Sequence, residues 1–343
     1  YIYSYMYIDN KVLKKYISLW LVSMFWVIAI MIIVGGLTRL TDSGLSITQW
    51  QLFSGIFPPF NETQWNQYFE LYKKIPEYNL QNHSMTLEEF KVIFWWEFIH
   101  RFLGRLIGIL FFVPLIFFTL KLGFKKILSL YLIFILICFQ GFIGWYMVSS
   151  GLVDRVDVSH YRLSLHLVLA FIIISLIFWN YLSLRNINLS FKKINRQIPI
   201  IFILIIFLQI CIGAFVSGMD AGKIYNSWPL MGSGFFPDDN SIKNLFYLSA
   251  LNDPSMVQFM HRSLAYLIFL FYLFIFVIIY KNRLSGLFKA IIVTGFLLIL
   301  QIVLGILTLL YSAQVIIASM HQISSILLVS SSIYFLYLNN NSS

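Results

Sequence analysis

Hydrophobic and polar positions alternate along this chain on the scale of a lipid bilayer. Apolar runs fall near residues 17–38, 98–120, 127–149, 163–184, 197–218, 259–280, 287–311 and 315–338. Each is long enough to cross the hydrocarbon core, which takes about 20 helical residues. The last two come from one stretch: from Ala290 onward the chain carries no Lys, Arg, Asp or Glu and is too long for a single span, so it divides at Tyr311–Gln314. The short segments of period-two alternation that mark membrane barrels are missing. The pattern predicts an all-α integral membrane protein with eight transmembrane helices.

The connections carry the orientation. Lys11, Lys14 and Lys15, then Lys121, Lys125 and Lys126, then Arg185, Lys192, Lys193 and Arg196, then Lys281, Arg283 and Lys289 occupy alternate loops, with Asp9 the one acid among them. Basic residues stay on the cytoplasmic side, which puts both termini there and the remaining acids outside. The outer connection 39–96 is long and holds Pro58-Pro59, Trp50, Trp65 and the polar stretch TLEEF; its aromatic content predicts a small folded cap with short helices.

Composition agrees on the solvent: 59% of residues are hydrophobic and 11% charged, a balance no water-soluble globule of this length shows. Cys138 and Cys211 both lie inside apolar runs, which removes a disulfide framework or a paired-cysteine metal site and leaves them as packing residues. No cleavable signal peptide or Arg- and Ser-rich transit segment is visible. A bacterial inner membrane is therefore expected rather than an organelle.

The chain repeats itself in the same orientation. GGLTRLTDSGLSITQW from Gly35 aligns with GAFVSGMDAGKIYNSW from Gly213, so that Asp42 meets Asp220, Gly44 meets Gly222 and Trp50 meets Trp228. EFIHRFLGRLIG aligns with QFMHRSLAYLIF, FQGFIGW with LQIVLGIL, and LSLHLVLAF with ASMHQISSI. Gln140 then matches Gln301 and Gly144 matches Gly305. Two tandem, pseudo-symmetric four-helix bundles are expected, residues 1–190 with the outer loop 39–96 and residues 191–343.

The repeat places one histidine at the outer end of the second and fourth helix of each unit: His100 and His166, then His261 and His321. A single histidine near a helix end is an ordinary interfacial hydrogen-bonding residue. Four at matched depth, two per bundle, suit metal ligation from facing helices, and an imidazole on each side is one way to hold haem iron. Four residues after each histidine stands a small residue, namely Gly104, Ala170, Ala265 and Ser325, which leaves clearance for a flat macrocycle or simply lets helices approach. Arg101 and Arg262 follow the second-helix histidines and face two readings, pairing with haem propionates or with loop acids. His83 and His160 have no counterpart in the repeat and are expected at the surface or in loops.

Glu97 stands three residues before His100 and shares its helix face. Its counterpart in the second unit is the neutral Gln258. A titratable group beside one histidine pair alone points to chemistry in the first unit; the competing reading is a structural clamp on Arg101 or Arg105.

With GGLTRLTDSGLSI, EFIHR and the four spaced histidines in place, nearly the whole chain resembles the haem A synthase family. The resemblance implies haem O as substrate and haem A as product in the first unit, on His100 and His166, and a haem b in the second, on His261 and His321. The implied reaction oxidises the C8 methyl of haem O to a formyl group through two successive hydroxylations and loss of water; Glu97, the catalytic candidate singled out by its asymmetry with Gln258, would there stabilise developing positive charge or accept the proton. It also implies membrane lipid as the surrounding partner, association with haem O synthase and with an electron acceptor, homo-oligomers, and no nucleic acid. Some members carry a cysteine pair in the first outer loop; this chain has none between residues 39 and 96 and resembles the cysteine-free type of alphaproteobacteria and mitochondria. The rival classes are a dihaem b-type electron carrier, disfavoured because all four histidines sit near one face, and a transporter, disfavoured by the solitary core acid.

Overall fold

A computed structural model of the chain describes all residues except 1–7, 9, 51–53, 154, 186–191 and 342–343. Asp9 and the expected unit boundary at 190/191 lie outside the described residues. Among the described residues ten α-helices follow in order: α1 Lys11–Leu40, α2 Glu62–Tyr72, α3 Pro76–Leu80, α4 Leu87–Leu122, α5 Leu128–Val148, α6 His160–Leu184, α7 Gln197–Gly218, α8 Pro254–Lys281, α9 Ser285–Leu310 and α10 Val315–Asn340. Eight of them, α1 and α4 to α10, are long and apolar enough to cross a membrane, in the register expected from the apolar runs. The division between α9 and α10 falls at Tyr311–Gln314, where Ser312 and Ala313 take positive φ.

Local chemistry fixes the ends. The Asn10 side chain accepts from Val12 and Leu13 N–H to start α1. Thr86 and Glu89 form a reciprocal capping box at the head of α4, and Asp253 followed by Pro254 opens α8.

Helix α4 begins eleven residues before the apolar run at 98, at Leu87. Its 36 residues span roughly 54 Å, so its first turns rise out of the hydrocarbon. There Phe90, Phe94 and Phe98 are buried against Phe69 and Tyr72 of α2, with Leu45 and Ile47 from the chain after α1. The segment 39–96 thus holds two short helices and its own aromatic core, which includes a Trp65–Phe94 edge contact at 4.9 Å and a Phe69–Phe90 stack at 5.1 Å. A charged turn of α4, from Glu97 to Arg101, sits where cap and membrane core meet.

Among the membrane-length helices, α1 packs on α4 and α6, and α5 packs on the same two. In the second half α7 packs on α8 and α10, as does α9. The halves meet where α6 touches α7 and α10, and where α10 touches α1. Lipid offers no hydrophobic drive between helices, so small residues and paired polar groups set this seam. Ser164 donates to the Cys211 carbonyl at 3.0 Å, Gln322 Nε2 donates to the Ile32 carbonyl at 3.0 Å, and Arg39 Nη2 donates to the Ser217 carbonyl at 2.9 Å. Cys211 packs in this seam, while Cys138 is exposed on the bundle surface.

Gly36 faces the Gln322 amide so closely that an added Cβ would overlap it. Gly36→Ala should therefore destabilise the seam by about 1–3 kcal/mol, the usual cost of overpacking. A lowered thermal midpoint in detergent is the expected reading, and an unchanged midpoint would show that α10 and α1 do not depend on this close approach.

Candidate functional site

The four repeated histidines all lie in helix interiors between packed elements. In the first half the His100 and His166 rings face each other with centroids 6.4 Å apart and planes at 74°. An iron between two imidazole nitrogens needs about this separation, given metal–nitrogen bonds of about 2 Å and roughly 1 Å more from each nitrogen to its ring centre. His261 and His321 of the second half are close enough to interact electrostatically.

Each imidazole lies against a glycine of the membrane-length helix before its own. A Cβ placed on Gly35 would sit 3.0 Å from His100, on Gly144 3.1 Å from His166, on Gly213 3.0 Å from His261, and on Gly305 2.9 Å from His321. A Cβ at any of them would force the ring or the helix to give by a few tenths of an ångström. Glycine is favoured at these four positions by close approach, not by backbone conformation.

Glutamines reach three of the rings from one turn before the glycine. Gln140 Nε2 lies 3.2 Å from His166 Nδ1 and donates to the His166 carbonyl at 2.9 Å. Gln209 Nε2 lies 3.3 Å from His261 Nε2 and donates to the His261 carbonyl at 3.0 Å. Gln301 Nε2 lies 3.3 Å from both nitrogens of His321, whose Nδ1 is 3.1 Å from the Gln301 carbonyl oxygen. The Gln140 and Gln209 amide oxygens are buried without a partner, so a half-turn of either amide offers an acceptor to an imidazole N–H. Holding the second ring nitrogen in this way is how proteins orient a metal-bound histidine. No group of three or more His, Cys, Asp or Glu side chains able to hold a metal ion occurs among the described residues. The donor set is two imidazoles per site, which suits an iron already held in a macrocycle better than a bare ion.

Above the rings, the two arginines make matched contacts. Arg101 donates through Nη2 to the Ile47 carbonyl at 2.7 Å and through Nη1 to the Gln49 carbonyl at 3.3 Å. Arg262 donates to the repeat-equivalent carbonyls of Tyr225 at 2.8 Å and Ser227 at 3.0 Å. Both guanidiniums thus hold the loop that follows α1 or α7. Glu97 makes the difference between the halves. It is 2% exposed and accepts from Ser46 Oγ and Ile47 N, both at 2.7 Å, and from Arg101 Nε and Nη2 at 3.0 and 2.6 Å. Gln258 donates to the Tyr225 carbonyl at 3.2 Å, while its own amide oxygen and Arg262 Nε are buried with no partner.

The small residues divide. Of the residues outside α4, only the Met31 methyl approaches Gly104, at 3.5 Å from where a Cβ would stand. Ala170 packs on the main apolar core, Ser325 donates to the Gln322 carbonyl, and Ala265 is half-buried on α8. His83 is exposed as expected, but His160 is not a surface residue. It is 5% exposed, because the first turn of α6 packs on the end of α7: its ring lies 4.2 Å from Tyr161 and 5.2 Å from Phe215, against Gly218. The four glycines and three glutamines escaped the reading of the histidines alone. The spacing Q-x-x-x-G at Gln140, Gln209 and Gln301, read at the positions matched by the repeat, was the signal that could have found the glutamines and three of the glycines; Gly35, preceded by Met31, lacks it.

The cap over the first pair contains a buried acid. Glu77 is 3% exposed, and burial, reinforced by the charge of Glu97, lifts its carboxyl from 4.5 to about 8. The folded cap therefore holds this proton more tightly than the unfolded chain does. Its contribution to stability is complete below the ordinary carboxylate range and is lost as pH rises toward about 8. Proteolysis of the segment 62–80 should quicken between about pH 5 and about pH 8.5, and Glu77→Gln should flatten that dependence. An equally steep profile in the variant would assign the effect to another group.

The family model described as "Cytochrome oxidase assembly protein" matches residues 18–333. The protein named "Heme A synthase" in Pelagibacter ubique is 50% identical over 344 residues, covering 98% of this chain and 100% of the relative. Proteins of the same name in Rickettsia bellii and Rickettsia felis are 44% and 45% identical, covering 96% and 92% of this chain and 100% and 96% of the relatives. On the strength of these matches and of the eight-helix fold, the chain belongs to the haem A synthase family of cytochrome oxidase assembly proteins.

Proposed function

We propose that this chain is a haem A synthase of a bacterial inner membrane, built as two repeated four-helix units with chemistry in the first. The names of its relatives support the activity. The observation that carries the assignment of the site is the His100–His166 pair at 6.4 Å, seated on Gly35 and Gly144. Haem O is the substrate of this pair. His261 and His321 hold a resident haem b, with Gly213 and Gly305 clearing space for the rings and Gln209 and Gln301 orienting them. When bound, that haem supplies a one-electron redox centre beside the substrate site.

The reaction converts the C8 methyl of haem O to a formyl group by two hydroxylations and loss of water, releasing electrons and protons to an acceptor that a partner must supply. With an imidazole from the chain on each side, the substrate's iron keeps no position for oxygen, so removal of electrons from the macrocycle and attack of water on the activated methyl carbon is the favoured course. Glu97 puts a carboxylate one turn outward from His100. All the groups that meet its oxygens are donors, and its role is to stabilise developing positive charge or to accept the proton released from the methyl carbon. Arg101 and Arg262 hold the outer loops closed over the two pairs. The basic residues of the alternate loops support a cap of α2 and α3 on the outer side of the membrane, with both sites near that face.

Extraction of haem from the chain expressed together with a source of haem O tests the activity. Haem A or a hydroxylated haem is the expected product, and haem b alone would instead support a dihaem electron carrier. His100→Ala or His166→Ala should abolish product while most haem b stays. His261→Ala or His321→Ala should remove the haem b, and a variant of that pair that keeps its full haem b content would refute the second site.

Glu97→Gln keeps shape but removes charge. Product per bound haem should fall by a factor of about 100 or more if the carboxylate acts on the transition state. Near-normal turnover per bound haem would leave Glu97 only its loop contacts.

A further inference from the structure

The glutamine that meets three of the four imidazoles is missing at the fourth. In the repeat, Gln209 of α7 corresponds to Met31 of α1, one turn before Gly35. The Met31 methyl lies beside Gly104, one turn below His100 on α4, and Gly104 corresponds to Ala265. A Met and Gly pair thus stands where the second half has Gln and Ala. His100 receives no amide, and its ring has no hydrogen bond among the described residues.

A hydrogen bond at the second nitrogen fixes the orientation of a ligating imidazole and raises its basicity. A thioether is a weak acceptor on a flexible chain and does neither. Both histidines of the pair read as holding the resident haem have the amide; of the pair read as holding substrate, only His166 does. A resident group must stay, whereas a product must leave.

We propose that Met31 makes His100 the exchangeable ligand of the first pair: substrate is taken up and product released by forming and breaking the bond to His100, while His166 remains oriented by Gln140. The proposal rests on reading His100 and His166 as the haem O pair. Met31 is in this account a positioning residue, acting through the ring it leaves unheld.

The test is haem release from the full-length chain loaded with haem O and mixed with excess apomyoglobin. Met31→Gln should slow release from the first site roughly tenfold, the worth of one net hydrogen bond, with no change at the second site. Met31→Gln combined with Gly104→Ala recreates the Gln209 and Ala265 pair and should behave alike, which separates the amide from any packing fault of the single variant. Gln140→Met should act in the opposite sense and hasten release from the same site. Unchanged release in the Met31 variants, or in Gln140→Met, overturns the proposal. Failure of the underlying reading looks different: His100→Ala would then bind haem O as well as the unaltered chain does.

Discussion

The contact on which the arrangement turns is an imidazole edge set against a glycine where two membrane helices pack. It occurs four times, between α1 and α4, α5 and α6, α7 and α8, and α9 and α10. In each case the missing Cβ lets the ring occupy space that would otherwise be filled by the neighbouring helix. In the first half the two rings so seated face each other at 6.4 Å. Replacing a glycine would force its ring or its helix to give by a few tenths of an ångström, which ties helix packing to the position of the imidazoles.

The polar groups around this contact are costly in hydrocarbon unless they are paired; many are, while His261 Nδ1 and Arg39 Nε are buried without a partner. Glu97 and Arg101 satisfy each other while gripping the loop after α1. Arg39 joins Asp42 at 2.6 Å and Asp220 at 3.3 Å, tying the outer ends of α1 and α7. The exceptions are informative. The orphan oxygens of Gln140, Gln209 and Gln258 and the orphan Nε of Arg262 all belong to the second halves of otherwise matched arrangements or face the histidines. The two matched arginines show the asymmetry most directly: the same pair of carbonyls is held in each half, while Arg101 adds the Glu97 carboxylate and Arg262 adds the Leu230 carbonyl.

Most of the fold was legible because lipid leaves few choices: an uncharged run must be a helix, and basic loops must lie on one side. The break at Tyr311–Gln314 could be placed without coordinates because a single span cannot hold the stretch after Ala290. The start of α4 could not, since Leu87 to Glu97 is polar enough to read as loop and becomes helical only through the cap packed on Phe90 and Phe94. The histidines stood out by repetition. The glycines did not, because glycine is common in membrane helices and its role depends on which ring comes to rest on it. His160 was misjudged for a related reason: a histidine at a helix start looks exposed until the neighbouring helix end is known.

The division of labour proposed for the halves rests on differences at matched positions, Glu97 against Gln258 and Met31 against Gln209, within one shared scaffold of histidine and glycine. Near-infrared magnetic circular dichroism on the full-length chain, with its haem stoichiometry, tests that scaffold most directly. The account predicts a haem between each histidine pair, both six-coordinate with two imidazole ligands. A haem with any other axial ligand, or a single haem shared between the halves, would contradict it.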